Sequence, residues 1–151
     1  MKKQFLVLSA LLLILFVGCS ILRREHKQDI VGVWTGKAMV AYRGTIHAYD
    51  VTLTFGEDKT LSLSYDMGDK KLTLSGNYTS DLSKNPALID ILNFGFPKGN
   101  KYCCMAIAEF PTINKMNISG LIGQCGEISR PTEFIRKPSD RHQLYLELKK
   151  K

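Results

Sequence analysis

The stretch HAYDVTLTFGEDKTLSLSYDMGDKKLTLSGNY, residues 47–78, decides the fold. From His47 to Phe55 the odd positions Tyr49, Val51, Leu53 and Phe55 are apolar, while Asp50, Thr52 and Thr54 are polar. Side chains of an extended strand alternate between its two faces, so a period of two marks a strand with one buried side. Gly56-Glu57-Asp58-Lys59 then supplies turn chemistry, and Leu61, Leu63 and Tyr65 alternate with Ser62 and Ser64. Met67-Gly68-Asp69 turns the chain again, after which Leu72, Leu74 and Tyr78 alternate with Thr73, Ser75 and Asn77. Three strands joined by short turns predict an antiparallel meander with one apolar face.

The pattern extends outward in both directions. Leu144, Leu146 and Leu148 alternate with Tyr145, Glu147 and Lys149 as a last strand. In the middle, Leu88–Phe94 and Tyr102–Phe110 are strand-like but apolar on both faces, Met116 and Ile118 suggest a short strand, and Phe134-Ile135-Arg136 a further one. The count reaches eight or nine. The one helix candidate, Ser83 to Leu92 with Pro86 near its start, fits a turn and strand equally well. An all-β chain of this kind hides its sheet edges most simply by closing into an antiparallel up-and-down β-barrel. About eight strands give an interior that side chains just fill, or that holds one small ligand. The inward stripes here are bulky, which favours filling, with any pocket small and near one end, and weak or absent binding of long-chain lipids.

The first residues are a processing segment rather than part of that domain. Met1-Lys2-Lys3-Gln4 is a positive start, and Phe5–Gly18 an apolar run of 14 residues, shorter than the roughly 20 that a spanning helix needs. The alternative is an uncleaved anchor helix. Phe16-Val17-Gly18-Cys19 resembles the lipobox of bacterial lipoproteins, with Phe16 in place of the usual leucine. The resemblance implies a diacylglyceryl thioether on Cys19, cleavage before it and acylation of the new amino terminus, giving the several chains that stable anchoring takes. Ser20, standing where an inner-membrane retention signal tends to have aspartate, implies, in a two-membrane bacterium, an outer-membrane protein facing the periplasm of the cell envelope. The expected organisation is residues 1–18 as signal peptide, 19–29 as lipidated cysteine and tether, and 30–151 as barrel.

Loss of Lys2 and Lys3 with the first 18 residues lowers the formal net charge from +7 to +5. The remaining basic residues are scattered, with Arg23, Arg24 and Lys27 near the lipid and Lys149, Lys150 and Lys151 at the other end. No basic helix or aromatic–basic platform is present, so no nucleic-acid partner is expected.

Two regions resemble a known family. Gly32-Val33-Trp34 matches the Gly-x-Trp pattern that opens lipocalins, whose tryptophan packs across the closed end of the barrel. Gly76-Asn77-Tyr78-Thr79 with Asp81-Leu82-Ser83-Lys84-Asn85-Pro86 and Ile89-Asp90, and later Arg130-Pro131-Thr132-Glu133-Phe134, resemble the small lipocalin-like domains abundant in planctomycete bacteria. The chain departs from that pattern at Phe110–Asn114 and at Gly120–Gly126. The resemblance implies a barrel or half-barrel and no particular activity.

Candidate chemistry is sparse. His26, His47 and His142 have no metal-ligand spacing, and there is no nucleophile elbow, phosphate loop or Cys-x-x-Cys pair. No catalytic residue, metal or cofactor is expected. Arg130 and Glu133 form either a pocket or a structural pair leading into the last strands, with Phe134 packing inward; the structural reading is preferred. With Cys19 lipidated, Cys103, Cys104 and Cys125 remain. They are either one disulfide and an odd cysteine, or three buried thiols. Neighbouring strand residues face opposite sides, so only one of Cys103 and Cys104 can readily reach Cys125. Two functions follow: a lipid-anchored, non-catalytic module binding a small apolar molecule or a protein, and a structural envelope protein with a solid barrel.

Overall fold

The computed structural model describes residues 28–68, 70–95 and 98–151. Cys19, His26, the expected signal peptide and most of the expected tether lie outside these described residues. Eight strands follow in order: β1 (Gly32–Tyr42), β2 (Thr45–Phe55), β3 (Thr60–Met67), β4 (Lys70–Asp81), β5 (Ala87–Gly95), β6 (Tyr102–Thr112), β7 (Lys115–Gly123) and β8 (Gln143–Lys150). Each pairs antiparallel with the next, and β8 returns to β1, so the sheet is a closed up-and-down barrel without an edge. This is the expected fold class, and the architecture is compatible with a lipocalin-like fold.

The meander takes the register that its alternation demands. Leu53 stands between Trp34 on β1 and Leu63 on β3, and Leu63 faces Leu74 on β4, so the apolar stripes meet inside. Outside, Thr52 and Ser64, and Ser64 and Thr73, are cross-strand neighbours, with the two hydroxyls of the latter pair 3.0 Å apart. Polar outside and apolar inside is the reverse of what a bilayer-spanning barrel needs. The β1–β2 hairpin turns through Arg43 and Gly44, both with positive φ (50° and 77°), as a two-residue turn matched to strand twist. Residues 83–92 form a turn and then β5 rather than a helix.

The two ends of the barrel differ. At one, called the floor, Ile30, Trp34, Phe55, Leu61 and Tyr78 are at most 2% exposed. Trp34 lies across this end, its Nε1 donating to the Ile30 carbonyl at 2.7 Å. Phe55 and Tyr78 pack edge to face at 4.9 Å, and the Tyr78 hydroxyl donates to the Gly56 carbonyl at 2.9 Å. The other end, the mouth, carries the β1–β2 and β3–β4 hairpins.

Residues 124–142, between β7 and β8, contain no strand. Phe134-Ile135-Arg136 is therefore not a ninth strand: its backbone runs over the outer wall of the barrel, where the Ile135 amide donates to the Ser119 side chain at 2.9 Å. We call this segment the strap. It explains why β6 is apolar on both faces. Cys104, Ala106 and Ala108 point into the core, while Cys103 and Ile107, on the outer face, are also buried. Tyr145 and Ser119 on the outer faces of β8 and β7 are buried as well.

Candidate functional site

The interior is graded along its axis. Towards the floor, Trp34, Leu53, Phe55, Leu61, Ile89, Ile118 and Leu146 are at most 1–2% exposed and interlock with the small residues Ala38, Ala106, Ala108 and Gly120. A Cβ on Gly120 would stand 2.5 Å from the Cys104 sulfur and 3.1 Å from the Ala106 methyl, so this level has no spare room. Towards the mouth, Val40, Tyr49, Leu63, Tyr65, Leu74 and Ile122 pack on the core but remain half-buried, as do Leu82 and Phe110 at the floor ends of β4 and β6.

Aromatic rings step down into that mouth from the β1–β2 hairpin. Tyr42 meets His47 at 6.3 Å between ring centres, His47 lies near-parallel to Tyr49 at 6.3 Å, and Tyr49 meets Tyr65 edge-on at 6.1 Å. Tyr42 is 55% exposed at the rim, with the Arg43 guanidinium 5.2 Å from its ring centre. Burial raises the Tyr65 hydroxyl above the usual tyrosine value, and Tyr49 beside it adds to the shift. At neutral pH the phenol is therefore a neutral donor and acceptor. This end of the barrel thus presents half-buried apolar side chains beside a few polar handles.

The residues singled out by sequence fall elsewhere. Trp34 is the floor plate. Arg130 and Glu133 do not pair: Glu133 is exposed, and Arg130 Nη2 lies 2.6 Å from Asp90 Oδ1 on β5 while its Nη1 donates to the Ala106 carbonyl at 2.6 Å. The Asp90 contact is an ion pair rather than an aligned hydrogen bond. Phe134 does not pack into the barrel; it is half-buried on the strap, 5.4 Å under the Arg136 guanidinium. Trp34 on one side and Arg130 with Glu133 on the other are thus not brought together, because the strap carrying the latter two lies outside the wall. Cys103 and Cys125 form a disulfide that ties the start of the strap to β6, and Cys104 is a buried free thiol whose pKa burial pushes up to about 12.

A second anchor of the strap had no signal in the sequence. Arg136 Nη2 donates to Glu109 Oε1 at 2.8 Å, and its Nη1 donates to the Tyr145 hydroxyl at 2.9 Å. Asn117 Nδ2 donates to the same Glu109 oxygen at 2.8 Å. The Asn117 bond first and then Arg136 hold the Glu109 carboxyl below its ordinary value. The apolarity of Tyr102–Phe110 on both faces, and the charge of Asp90 inside the apolar run Leu88–Phe94, are the signals in the sequence that something covers this wall.

Among the described residues no cluster of three metal-ligating side chains occurs. A groove of about 440 Å3 opens beside the floor between Gln28, Lys84, Asn85, Glu109 and Phe110, with polar walls and no nucleophile next to a base. No protein-family model, curated protein or solved structure matches the chain.

Proposed function

We propose that the chain is a cell-envelope lipoprotein, held on the membrane by lipid on Cys19, whose lipocalin-like barrel is a non-catalytic binding module. The observation that carries this is the mouth, where Tyr49, Leu63, Tyr65 and Leu74 stay half-buried around a core that is otherwise covered at Trp34, Leu53 and Phe55. An apolar wall left partly wet is stabilised by a guest that covers it, at roughly 25 cal/mol per Å2. So short a half-buried stretch suits a small apolar or ring-bearing guest rather than a long acyl chain. The resemblance to planctomycete lipocalin-like domains belongs to the same proposal, as does the outer-membrane, periplasm-facing location.

The second reading, a structural envelope protein with a solid barrel, draws on the tight layer around Gly120 and Cys104. One titration separates the two. Short and long fluorescent fatty-acid probes, with a small aromatic amphiphile alongside, are added to the protein and to Tyr49→Ala and Tyr65→Ala. Saturable binding of the short or aromatic probe, weakened about tenfold or more by either substitution, supports the module. No saturable binding of any probe favours the structural role, and micromolar binding of the long chain that Leu53→Trp abolishes makes the protein a lipid carrier. The anchor has its own test: Cys19→Ala should accumulate as the longer precursor and incorporate no labelled fatty acid, and processing like the wild type overturns it.

A further inference from the structure

The chain leaves the barrel towards Cys19 at the floor, because Ile30 is packed there beneath Trp34. The same end carries the β6–β7 hairpin, whose tip residue Ile113 is 56% exposed, the largest exposure among the exposed large hydrophobic residues. Beside the tip, Lys115 on β7 stands directly opposite Lys149 on β8, both on the outer face and both exposed. Asn114 accepts a backbone bond from Lys150, and Lys151 bonds back to Val33, which fixes the strand end and its lysines next to the hairpin.

A directly opposed like-charge pair destabilises a sheet, and the rest of this outer ladder avoids it. One step up, Glu147 faces Asn117 on one side and Lys37 on the other, and Lys37 makes a 2.8 Å ion pair with Asp50. Lys115, Lys149 and Lys151 make no ion pair among the described residues. An apolar tip flanked by uncompensated lysines matches an anionic interface: the tip enters the headgroup layer while the cations neutralise headgroups. Of the acids at this end, Asp29 precedes β1 and its Oδ1 accepts the Val31 amide at 2.9 Å. Glu57 and Asp58 are on the β2–β3 turn, Asp81 ends β4, and the carboxylates of Asp58 and Asp81 are tied to Thr60 and Ser83.

We infer that the Ile113 tip with Lys115, Lys149 and Lys151 is a docking surface for an anionic bilayer, which stands the barrel floor-down with its mouth turned away from the membrane. The inference rests on the lipid-anchor reading. Ten residues, Ser20–Asp29, separate Cys19 from Ile30, and ten residues can span at most about 33–36 Å, which keeps the floor near the headgroups.

The test uses the full lipidated protein on phosphatidylcholine vesicles with and without phosphatidylglycerol, with bromine on the acyl chains as quencher. Trp34 is the one native tryptophan and gives the baseline. Ile113→Trp should lose at least half of its added emission on the anionic vesicles, and Ile46→Trp, at the mouth hairpin, almost none. Lys115→Glu with Lys149→Glu should abolish the quenching while the protein still floats with vesicles. In the unsubstituted protein, amide exchange at Ile113 and Asn114 should slow severalfold on anionic vesicles only. Flotation with equal quenching at both sites, or with none that depends on phosphatidylglycerol, overturns the docking surface and leaves the anchor standing. Failure to float overturns the anchor and the docking together.

Discussion

Arg130 on the strap reaches Asp90 on β5 at 2.6 Å, passing over the outer wall of β6 and donating to the Ala106 carbonyl on the way. One guanidinium thus bridges two neighbouring strands from outside and holds the last connection of the chain against them. Both side chains keep about a quarter of their surface in water, 27% and 25%. The pair therefore lies between an exposed pair worth under about 1 kcal/mol and a buried one whose breakage costs several.

Arg130→Ala should cost on the order of 1–2 kcal/mol, by removing a partly buried charge from its partner. Hydrogen exchange should rise across residues 124–142 while β1–β4 stay protected. Asp90→Asn should cost less, since it leaves no carboxylate unpaired. Uniform loss of protection in Arg130→Ala would show that the strap is not a separable unit.

Trp34→Ala should cost about 3–5 kcal/mol, the range for truncating a large buried ring. Trp34→Phe should lose chiefly the Nε1 bond to Ile30, about 1 kcal/mol, along with some packing. Urea unfolding of the two variants separates the hydrogen bond from the burial. A cost below 1 kcal/mol for alanine would mean that the floor does not close the barrel.

The Glu109 anchor predicts a pH dependence. Its carboxyl is held below the ordinary glutamate value by Asn117 and Arg136, so it binds protons more weakly folded than unfolded. Its contribution is therefore fully present above about pH 4.3 and is lost as pH falls through the lower folded value. With Arg136 54% exposed, screening limits the gain to roughly 0.2–1 kcal/mol. Melting curves between pH 6 and 3 should show wild type losing more stability than Glu109→Gln. Parallel losses would remove Glu109 from the account.

Thiol titration reads the cysteines. Cys104, buried and with its pKa near 12, should be silent to a disulfide reagent in the folded protein at pH 8 and react once in denaturant. A second thiol in denaturant would be an unmodified Cys19, whereas an open Cys103–Cys125 bridge would add two, and mass spectrometry tells the cases apart. Cys103→Ser with Cys125→Ser should lower stability by roughly 2–4 kcal/mol, as expected for a loop of this size.

What the sequence determined by itself is the alternation and its consequence. The stripes Tyr49–Phe55, Leu61–Tyr65, Leu72–Tyr78 and Leu144–Leu148 face inward, because a period of two assigns each side chain to a face with no need of distant contacts. Parity also showed that Cys103 and Cys104 point to opposite faces, yet not which one meets Cys125. Only the tertiary structure decided that, by laying the strap outside the wall, where Cys103 points. The same placement gave Arg130 the partner Asp90 instead of Glu133, put Phe134 under Arg136 instead of in the core, and turned an expected ninth strand into irregular chain. Residues 124–142 have no period to read. Their conformation is set by contacts with strands far away in sequence, through an ion pair, a disulfide and side-chain bonds to the outer wall, and such long-range pairings exist only once the barrel has closed.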